Sequence, residues 1–391
     1  MTDRPRILYL IPRYPWPPDR GDRLTGLNLL RQFTEFADVT LVAFAEGMST
    51  AVDLGPLIDR CTRIEVVPHP IWRGRANMLA AMMDDVPFQV AFYHSRIMEE
   101  LVRRLRGERF DLVFAQMFRM HPYLAPFGGS QRVMFLGDSL AMNLRRAVRT
   151  KHGVKRLAFR MEEQRVDRYE IKVMSEVDES WVVAESDRCD LLARSPGARV
   201  VVVPNGVEDR WGRVNPAVSE DTVLLLGNMT VGHNIDMATY LVEAIWPLVR
   251  AGHPGAELLL VGPAGPTVRR LSTRPGVSVT GFIDDLAPIL ARTRVSVAPL
   301  RYGAGVQNKV LETMAAGLPA VTSSIVNEGI GAEPGRSIDI ADEPAAFATL
   351  VGRHLSHPTD AARMGTEGRQ HVLANFSWEP AGRRMRKLLG L

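Results

Sequence analysis

Residues 301–321, RYGAGVQNKVLETMAAGLPAV, run a glycine-containing loop straight into a short helical pattern that carries Lys309 and Glu312 near its start. Asn308 is a suitable N-cap, Val310, Leu311, Met314 and Ala315 make a buried stripe, and Gly317 followed by Pro319 ends the helix. A helix start offers free backbone N–H groups and a partial positive charge, and a lysine beside it attracts a diphosphate. A carboxylate one turn further in can accept hydrogen bonds from ribose hydroxyls. The plainer reading of Lys309 and Glu312 is a surface i,i+3 ion pair, worth about 0.2–0.5 kcal/mol.

Strand-like runs on either side of this stretch repeat at βα spacing. VVVPNG (201–206), TVLLLGN (222–228), ELLLVG (257–262), VSVTGF (277–282) and RVSVAPL (294–300) alternate with helical patterns at 234–250 and 285–292. An earlier series comprises RILYLI (6–11), VTLVAF (39–44), RIEVVPH (63–69), LVFAQ (112–116), VMFL (133–136) and SWVVA (180–184). Such alternation predicts parallel sheets covered on both faces, and two series predict two Rossmann-like α/β lobes. Turn formers from Ser195-Pro196-Gly197 to Pro204-Asn205-Gly206 put the seam at 195–205. Ligands of open parallel sheets sit at the carboxyl ends of the strands, so the expected site is a cleft between the lobes.

The segment 301–321 resembles the corresponding segment of the GT-B glycosyltransferases of the family 4, retaining type, and its Gln307-Asn308-Lys309-x-x-Glu312 form is similar to a subgroup of bacterial exopolysaccharide-associated sugar transferases. The family shows Glu, seven residues, Glu, then an Ala-x-Gly-x-Pro helix end. Glu312 matches the second glutamate, whereas position 304 holds Ala where the first would stand. The resemblance implies a GT-B fold of two Rossmann-like domains facing across a cleft. Residues 1–198 would bind the acceptor, 199–376 would bind the nucleotide sugar, and 377–391 would form a basic helix crossing back to the first domain.

The donor side would use Gly227, Asn228, His233, Gly262, Phe282, Ile283, Gly305, Val306, Gln307 and Asn308. Gly227, Gly262 and Gly281 each follow a strand and let backbone approach a ligand closely. In the family, the loop matching Gly281-Phe282-Ile283 commonly contacts the base. Asn228 and His233 stand where the family often has Arg and Lys, which leaves Arg301 and Lys309 as the cations for a departing diphosphate, with His233 able to assist when protonated. Arg301, Lys309, Glu312 and Asp138 are the expected catalytic set.

On the acceptor side, Arg20, Gly21 and Asp22 close a proline-stiffened loop at a helix whose Leu24, Leu27, Leu30 and Phe33 face the core. Asp138, after VMFL, could orient an acceptor hydroxyl or simply cap a helix. His94 and His121 have weaker claims. Asp284-Asp285 reads as a helix cap and no DxD-type metal motif stands out, so the expected enzyme needs no metal and no cofactor beyond its donor, a UDP-sugar.

The expected reaction is transfer of a sugar from a nucleotide diphosphate sugar to a hydroxyl of a glycan, lipid-linked or small-molecule acceptor, with retention, in exopolysaccharide or other glycoconjugate synthesis. A catalytically silent nucleotide-sugar-binding partner is the alternative. So is a GT-B-fold sugar-nucleotide epimerase, which would need an acid/base carboxylate where Ala304 stands.

Composition is compatible with this. At 391 residues two domains are expected, and 46% hydrophobic with 24% charged residues is a globular balance. Cys61 and Cys189 form no metal spacing, ILYLI is too short for a signal-peptide core, and no apolar run reaches the roughly 20 residues of a spanning helix. A cytoplasmic protein is expected. The net charge is +4, with cations concentrated between Arg145 and Lys172 and no nucleic-acid-binding signature beside them. Trp72–Met83 has a basic, aromatic start and a methionine-rich stripe, which reads as a core helix or as contact with the inner face of an anionic membrane.

Overall fold

Apolar, β-branched runs that are buried on both faces build the first sheet. In this computed structural model the described residues are 4–18, 20–46, 53–208, 210–214, 216, 221–303 and 305–391. Asp19 of the proline-stiffened loop and Ala304 lie outside them. The strands are β1 (Arg6–Ile11), β2 (Asp38–Glu46), β3 (Arg63–His69), β4 (Leu112–Gln116), β5 (Gln131–Gly137), β6 (Glu179–Val182) and β7 (Val200–Val202). All pair in parallel, in the order β3-β2-β1-β4-β5-β6-β7, so the chain reverses its direction of growth between β1 and β4. Crossovers are supplied by α1 (Gly21–Thr34), α2 (Ile71–Ala80), α3 (Phe88–Phe92), α4 (Arg96–Leu105), α5 (Leu140–Arg149), α6 (Gly153–Glu176) and α7 (Glu185–Arg194).

Leu27, Leu30 and Phe33 of α1 are buried as expected, while Leu24, in the exposed first turn, is only half-buried. Phe33 meets Phe114 and Trp181 edge-on, at 5.2 and 6.4 Å between centroids. Such aromatic pairs add about 0.5–1.5 kcal/mol beyond the area they bury.

The second sheet contains β8 (Thr222–Leu226), β9 (Glu257–Val261), β10 (Val277–Gly281), β11 (Val295–Ala298), β12 (Ala320–Thr322) and β13 (Asp339–Ile340), again all parallel, in the order β10-β9-β8-β11-β12-β13. Its reversal lies between β8 and β11. Its helices are α8 (Gly232–Tyr240), α9 (Trp246–Gly252), α10 (Pro266–Arg269), α11 (Ala287–Arg292), α12 (Asn308–Ala315), α13 (Ser324–Ile330), α14 (Pro344–Ser356) and α15 (Pro358–Asn375). The expected helix 234–250 is interrupted by a π turn at Leu241–Ile245. Pro247, in the first turn of α9, cannot donate to the preceding turn, and the wider turn absorbs the missing bond.

The chain divides into one unit of 1–204 with 378–391 and another of 205–377. The run 201–206 was expected to open the second sheet, with the boundary at 199. Instead Val200–Val202 is the edge strand of the first sheet, paired with β6. A short apolar strand carries no mark of which sheet it will extend, and only the pairing decides it. The tail forms α16 (Glu379–Leu388), which packs on α1: Arg386 lies 4.3 Å from the Phe36 ring centroid.

From α16, Arg384 Nε donates to the buried Glu179 of β6 at 2.7 Å, and Arg199 and the Trp181 indole also contact that carboxylate. Removing one partner of a buried ion pair is costly, but Arg199 and Trp181 remain. Arg384→Met should therefore destabilise the first unit by about 1–3 kcal/mol. Chemical denaturation followed by Trp181 fluorescence checks this.

Candidate functional site

Where a parallel sheet reverses, the two loops leaving its neighbouring strands diverge and open a crevice at their carboxyl ends. In the second unit those loops are 227–231, after β8, and 299–307, after β11. Lys309 joins them. Its ammonium donates to Asn234 Oδ1, and Asn234 Nδ2 donates to the Asn228 carbonyl at 2.9 Å, so the cation near the start of α12 is held against the β8 loop. The Lys309 stem lies so close to the backbone that a Cβ on Gly227 would stand 3.2 Å from its Cδ.

Asn308 is the first residue of α12 and not its cap. Gln307 takes the capping position without a side-chain capping bond to the helix, and Asn308 Oδ1 instead accepts from Asn205 at 3.0 Å. The N–H groups of the first turn are therefore not occupied by a capping side chain. Val306 and Gly305 are buried behind the turn.

Lys309 and Glu312 do not pair with each other. Among the described residues the Glu312 carboxylate accepts no hydrogen bond; its charged neighbours are Glu208 and Arg210. Burial, reinforced by Glu208 and opposed by Arg210, pushes the Glu312 carboxyl up to about 7. Burial also lowers the Lys309 ammonium to about 7. Both groups are half-buried and both titrate near neutrality, a combination that marks sites poised to meet a charged ligand.

Two of the expected cations are altered by their surroundings. His233 could assist only as an imidazolium, and burial, with the Lys309 charge beside it, lowers it to about 4, so it is neutral at pH 7. Arg301 is exposed and held away from a free role: it forms a two-pronged pair with Asp236 of α8, at 2.9 and 2.5 Å, and lies 4.7 Å from the Tyr240 ring centroid. That pair ties the 299–307 loop to α8.

The remaining donor-side residues border the same edge of the sheet. Gly262 N donates to Gly281 O at 2.9 Å, joining the ends of β9 and β10. Phe282 beyond them is exposed and Ile283 is half-buried. Asp285 accepts from the Ala287 amide at 3.0 Å, so α11 starts two residues after the expected cap.

In the first unit, Arg20, Gly21 and Asp22 begin α1 at the β1/β4 reversal. Gln116, at the end of β4, donates to the Asp22 carbonyl at 2.8 Å and accepts from the Tyr9 hydroxyl at 2.6 Å. Burial raises the Asp22 carboxyl, but the Arg13 ion pair, with Arg119 and Arg20, outweighs it and holds the group below its ordinary range. Burial raises Asp138 to about 6 against its own backbone hydrogen bond and the Arg119 charge. Asp138 is not a cap, since Ser139 accepts from Met142 N. His121 bonds Tyr169 and Glu176, and His94 meets Glu99 on the surface.

Arg119 and Glu208 were absent from the residues expected from sequence, and Asn234 was noted only as the partner of His233 at the place where the family often has Lys-Asn. Asn234 lay in plain view beside His233. Arg119, in a 3₁₀ turn of the first unit, lies near Asp22 and Asp138, and Glu208, in a loop of the second, lies near Glu312; neither stands in a local signature.

Among the described residues no group of three or more His, Cys, Asp or Glu side chains is placed to hold a metal ion, and no helix is long and apolar enough to cross a membrane.

The fold is GT-B, the two-unit α/β architecture of nucleotide-sugar glycosyltransferases. Residues 220–357 match the family described as glycosyl transferases group 1, and this span contains every donor-side residue named above. A GDP-mannose-dependent monoacylated alpha-(1-6)-phosphatidylinositol monomannoside mannosyltransferase of Corynebacterium glutamicum is 32% identical over 163 residues, which is 38% of this chain and 42% of that protein. The chain spans about half or less of the length of the curated relatives it matches. Among solved structures, sucrose-phosphate synthase of Thermosynechococcus elongatus superposes with a TM-score of 0.72 at 18% identity over 98% of both chains. Anabaena Alr3699/HepE in complex with UDP and glucose gives 0.68 at 12% identity over 98% of this chain and 99% of that one.

Proposed function

We propose that this protein is a retaining glycosyltransferase that moves a sugar from a nucleotide diphosphate sugar to an acceptor hydroxyl, in assembly of an exopolysaccharide or another glycoconjugate. The observation that carries the reading is the Lys309–Asn234–Asn228 connection at the β8/β11 reversal, which sets an ammonium beside the open first turn of α12. The acceptor oxygen attacks the anomeric carbon on the face from which the diphosphate departs. The bond from that carbon to the phosphate oxygen breaks, and the hydroxyl proton passes to the leaving phosphate. Lys309 and the α12 amides stabilise the charge that develops, the task a metal ion performs elsewhere. Glu312 receives the ribose hydroxyls. Arg20, Gly21 and Asp22 shape the acceptor side, and Asp138 orients the attacking hydroxyl.

The donor is a UDP-sugar in this reading, in keeping with the UDP named in the Anabaena complex; GDP-mannose, named for the Corynebacterium relative, is the competing choice. The phosphatidylinositol mannoside named for that relative favours a lipid-linked acceptor and a cytoplasmic enzyme peripheral to an anionic membrane. The neutral state of His233 leaves few cations for a leaving group, which favours a silent nucleotide-sugar-binding partner as the second reading.

Incubation with UDP- and GDP-sugars and a set of lipid-linked and free glycan acceptors separates the two. Release of nucleoside diphosphate with an α-configured product from an α-configured donor supports the transferase. Binding without turnover supports the silent partner, and unchanged rates in chelator support metal independence.

Glu312→Gln adds a pH signature. Above about pH 7 the carboxylate is ionised and accepts strong hydrogen bonds from ribose, so the substitution should weaken donor binding about tenfold at pH 8. At pH 6 the native group is mostly protonated and resembles the amide, and the two affinities should converge in a calorimetric titration.

A further inference from the structure

The methionine-rich segment after residue 70 does not enter the core. Gly74 is the residue on which α2 docks: a Cβ there would stand 2.5 Å from the Phe92 ring, so α2 presses this side onto α3. Trp72 and Leu79 project elsewhere on the helix and are 61% and 69% exposed, and Met83, just beyond it, is 95% exposed. Arg75, Met78, Leu79, Met82 and Phe88 line an open hollow of about 350 Å³.

This surface continues onto α6. Arg165 donates to the Met82 carbonyl and lies 4.7 Å from the Phe88 ring centroid, and Glu162 accepts from the Phe88 amide at 2.9 Å. Val154, Leu157 and Met161 share the α6 face of Arg165 by helical spacing, and Val154 is 84% exposed. The apolar residues of the two elements therefore lie on one side of the unit. Exposed large apolar side chains grouped on one side of a unit in this way mark an interaction surface.

Charge identifies what it meets. The stretches 71–83 and 151–161 together hold Arg73, Arg75, Lys151, Lys155, Arg156 and Arg160 and no carboxylate; of the acids that follow them, Asp85 pairs with Arg168, Glu162 accepts from the Phe88 amide and Glu163 faces Arg145, which leaves Asp84 as the acid at the border of the face. Apolar side chains that dip below headgroups, bordered by cations that stay among phosphates, suit an anionic lipid surface better than a protein partner, which would need complementary acids. We propose that α2, residues 81–83 and residues 151–161 at the start of α6 form a docking face for an anionic bilayer, with Trp72, Leu79, Met83 and Val154 inserted and the six basic side chains on the lipid phosphates. The proposal rests on the lipid-linked acceptor of the reading above and assigns it a surface.

Co-sedimentation with vesicles tests it. The full chain should partition onto equimolar phosphatidylcholine and phosphatidylglycerol and not onto phosphatidylcholine alone, with binding falling at least tenfold in 0.5 M salt. Leu79→Ser with Met83→Ser, and separately Lys155→Glu with Arg156→Glu, should each lower the partition coefficient at least tenfold, while Arg336→Glu on the second unit leaves it unchanged. All three variants should bind donor in vesicle-free buffer as the native chain does, which shows that they are folded; failure of the native chain itself to bind any donor refutes the transferase reading and leaves the lipid face to the partition data. Equal partitioning of native and variant chains, or none onto phosphatidylglycerol, overturns the proposal. So does a dimer in light scattering that Leu79→Ser with Met83→Ser dissolves, since the face would then be a self-interface.

Discussion

Lys309→Ala should weaken donor binding about 10–100-fold, because it removes the ammonium near the α12 start and a charge-assisted hydrogen bond to phosphate contributes about 1.5–3 kcal/mol. The pH dependence is more diagnostic than the loss itself. Burial lowers Lys309 to about 7, so in the free protein the ammonium is present below that pH and disappears above it. Donor affinity should fall through pH 7–9, and because a bound diphosphate restores the ammonium, calorimetry in buffers of different ionisation enthalpy should record proton uptake on binding in that range. Lys309→Arg keeps its charge at every pH and should flatten the alkaline fall even if its affinity at pH 7 is lower.

A stability measurement separates loss of a ligand contact from loss of folding. The folded Lys309 value lies below its unfolded value of about 10.4, so protonation is penalised in the folded state at low pH and the penalty fades as pH rises from 7 towards 10. Lys309→Met relieves it but leaves Asn234 without a donor, and the two effects are each on the order of 1 kcal/mol for a half-buried group. The variant should be no less stable than the native chain at pH 6 while its donor affinity is lost. A native-like donor affinity in both Lys309→Ala and Lys309→Met would remove the proposed site.

The strands that form the centre of each sheet were legible because a strand buried on both faces has to be an unbroken apolar run. RILYLI and LVFAQ, at the centre of the first sheet, are strands residue for residue; RIEVVPH is one too, but as a half-buried edge strand that its β-branched residues gave away. Where that reason weakens, so does the reading. Asp339–Ile340 is too short to show a pattern, and β7 had no local feature to prevent its assignment to the neighbouring sheet. The α2 segment shows the limit differently: a methionine-rich stripe has one composition whether it faces a core, a bilayer or a partner, and only the Gly74–Phe92 contact decides which side is covered.

The site was partly legible for similar reasons. Loop-to-helix chemistry around 301–321 is local, so Lys309 and Glu312 could be picked out. Their protonation could not, because it follows from burial by distant elements: His233 could assist only when protonated and is neutral, and of the two readings of Arg301, ligand contact or an exposed salt bridge, the structure shows the pair with Asp236. The Lys309–Asn234 bond joins residues 75 positions apart and exists only once the β8 and β11 loops are neighbours.

Gly262→Ala should be the most destabilising change at this edge of the sheet. The residue has φ +128°, where an L side chain is strained, and an added Cβ would stand 2.1 Å from the Gly227 carbonyl oxygen and 2.9 Å from its carbon. The obstacle is backbone, so no rotamer change relieves it, and the ends of β8 and β9 have to separate. Left-region strain of about 1–2 kcal/mol and overpacking of about 1–3 kcal/mol together suggest a loss of about 3 kcal/mol, or roughly 6–12 °C in the midpoint of the second unit. Gly265→Ala is the control, since its Cβ meets nothing within 4 Å and its φ of −78° suits any residue; it should change stability by less than about 0.5 kcal/mol. The displaced Gly227 backbone is the surface against which the Lys309 stem lies, so the folded fraction of Gly262→Ala should also bind donor more weakly, which titration below the melting transition can measure. If that fraction binds normally, Gly262 serves packing alone, and the β8 loop moves without disturbing the Lys309–Asn234–Asn228 connection.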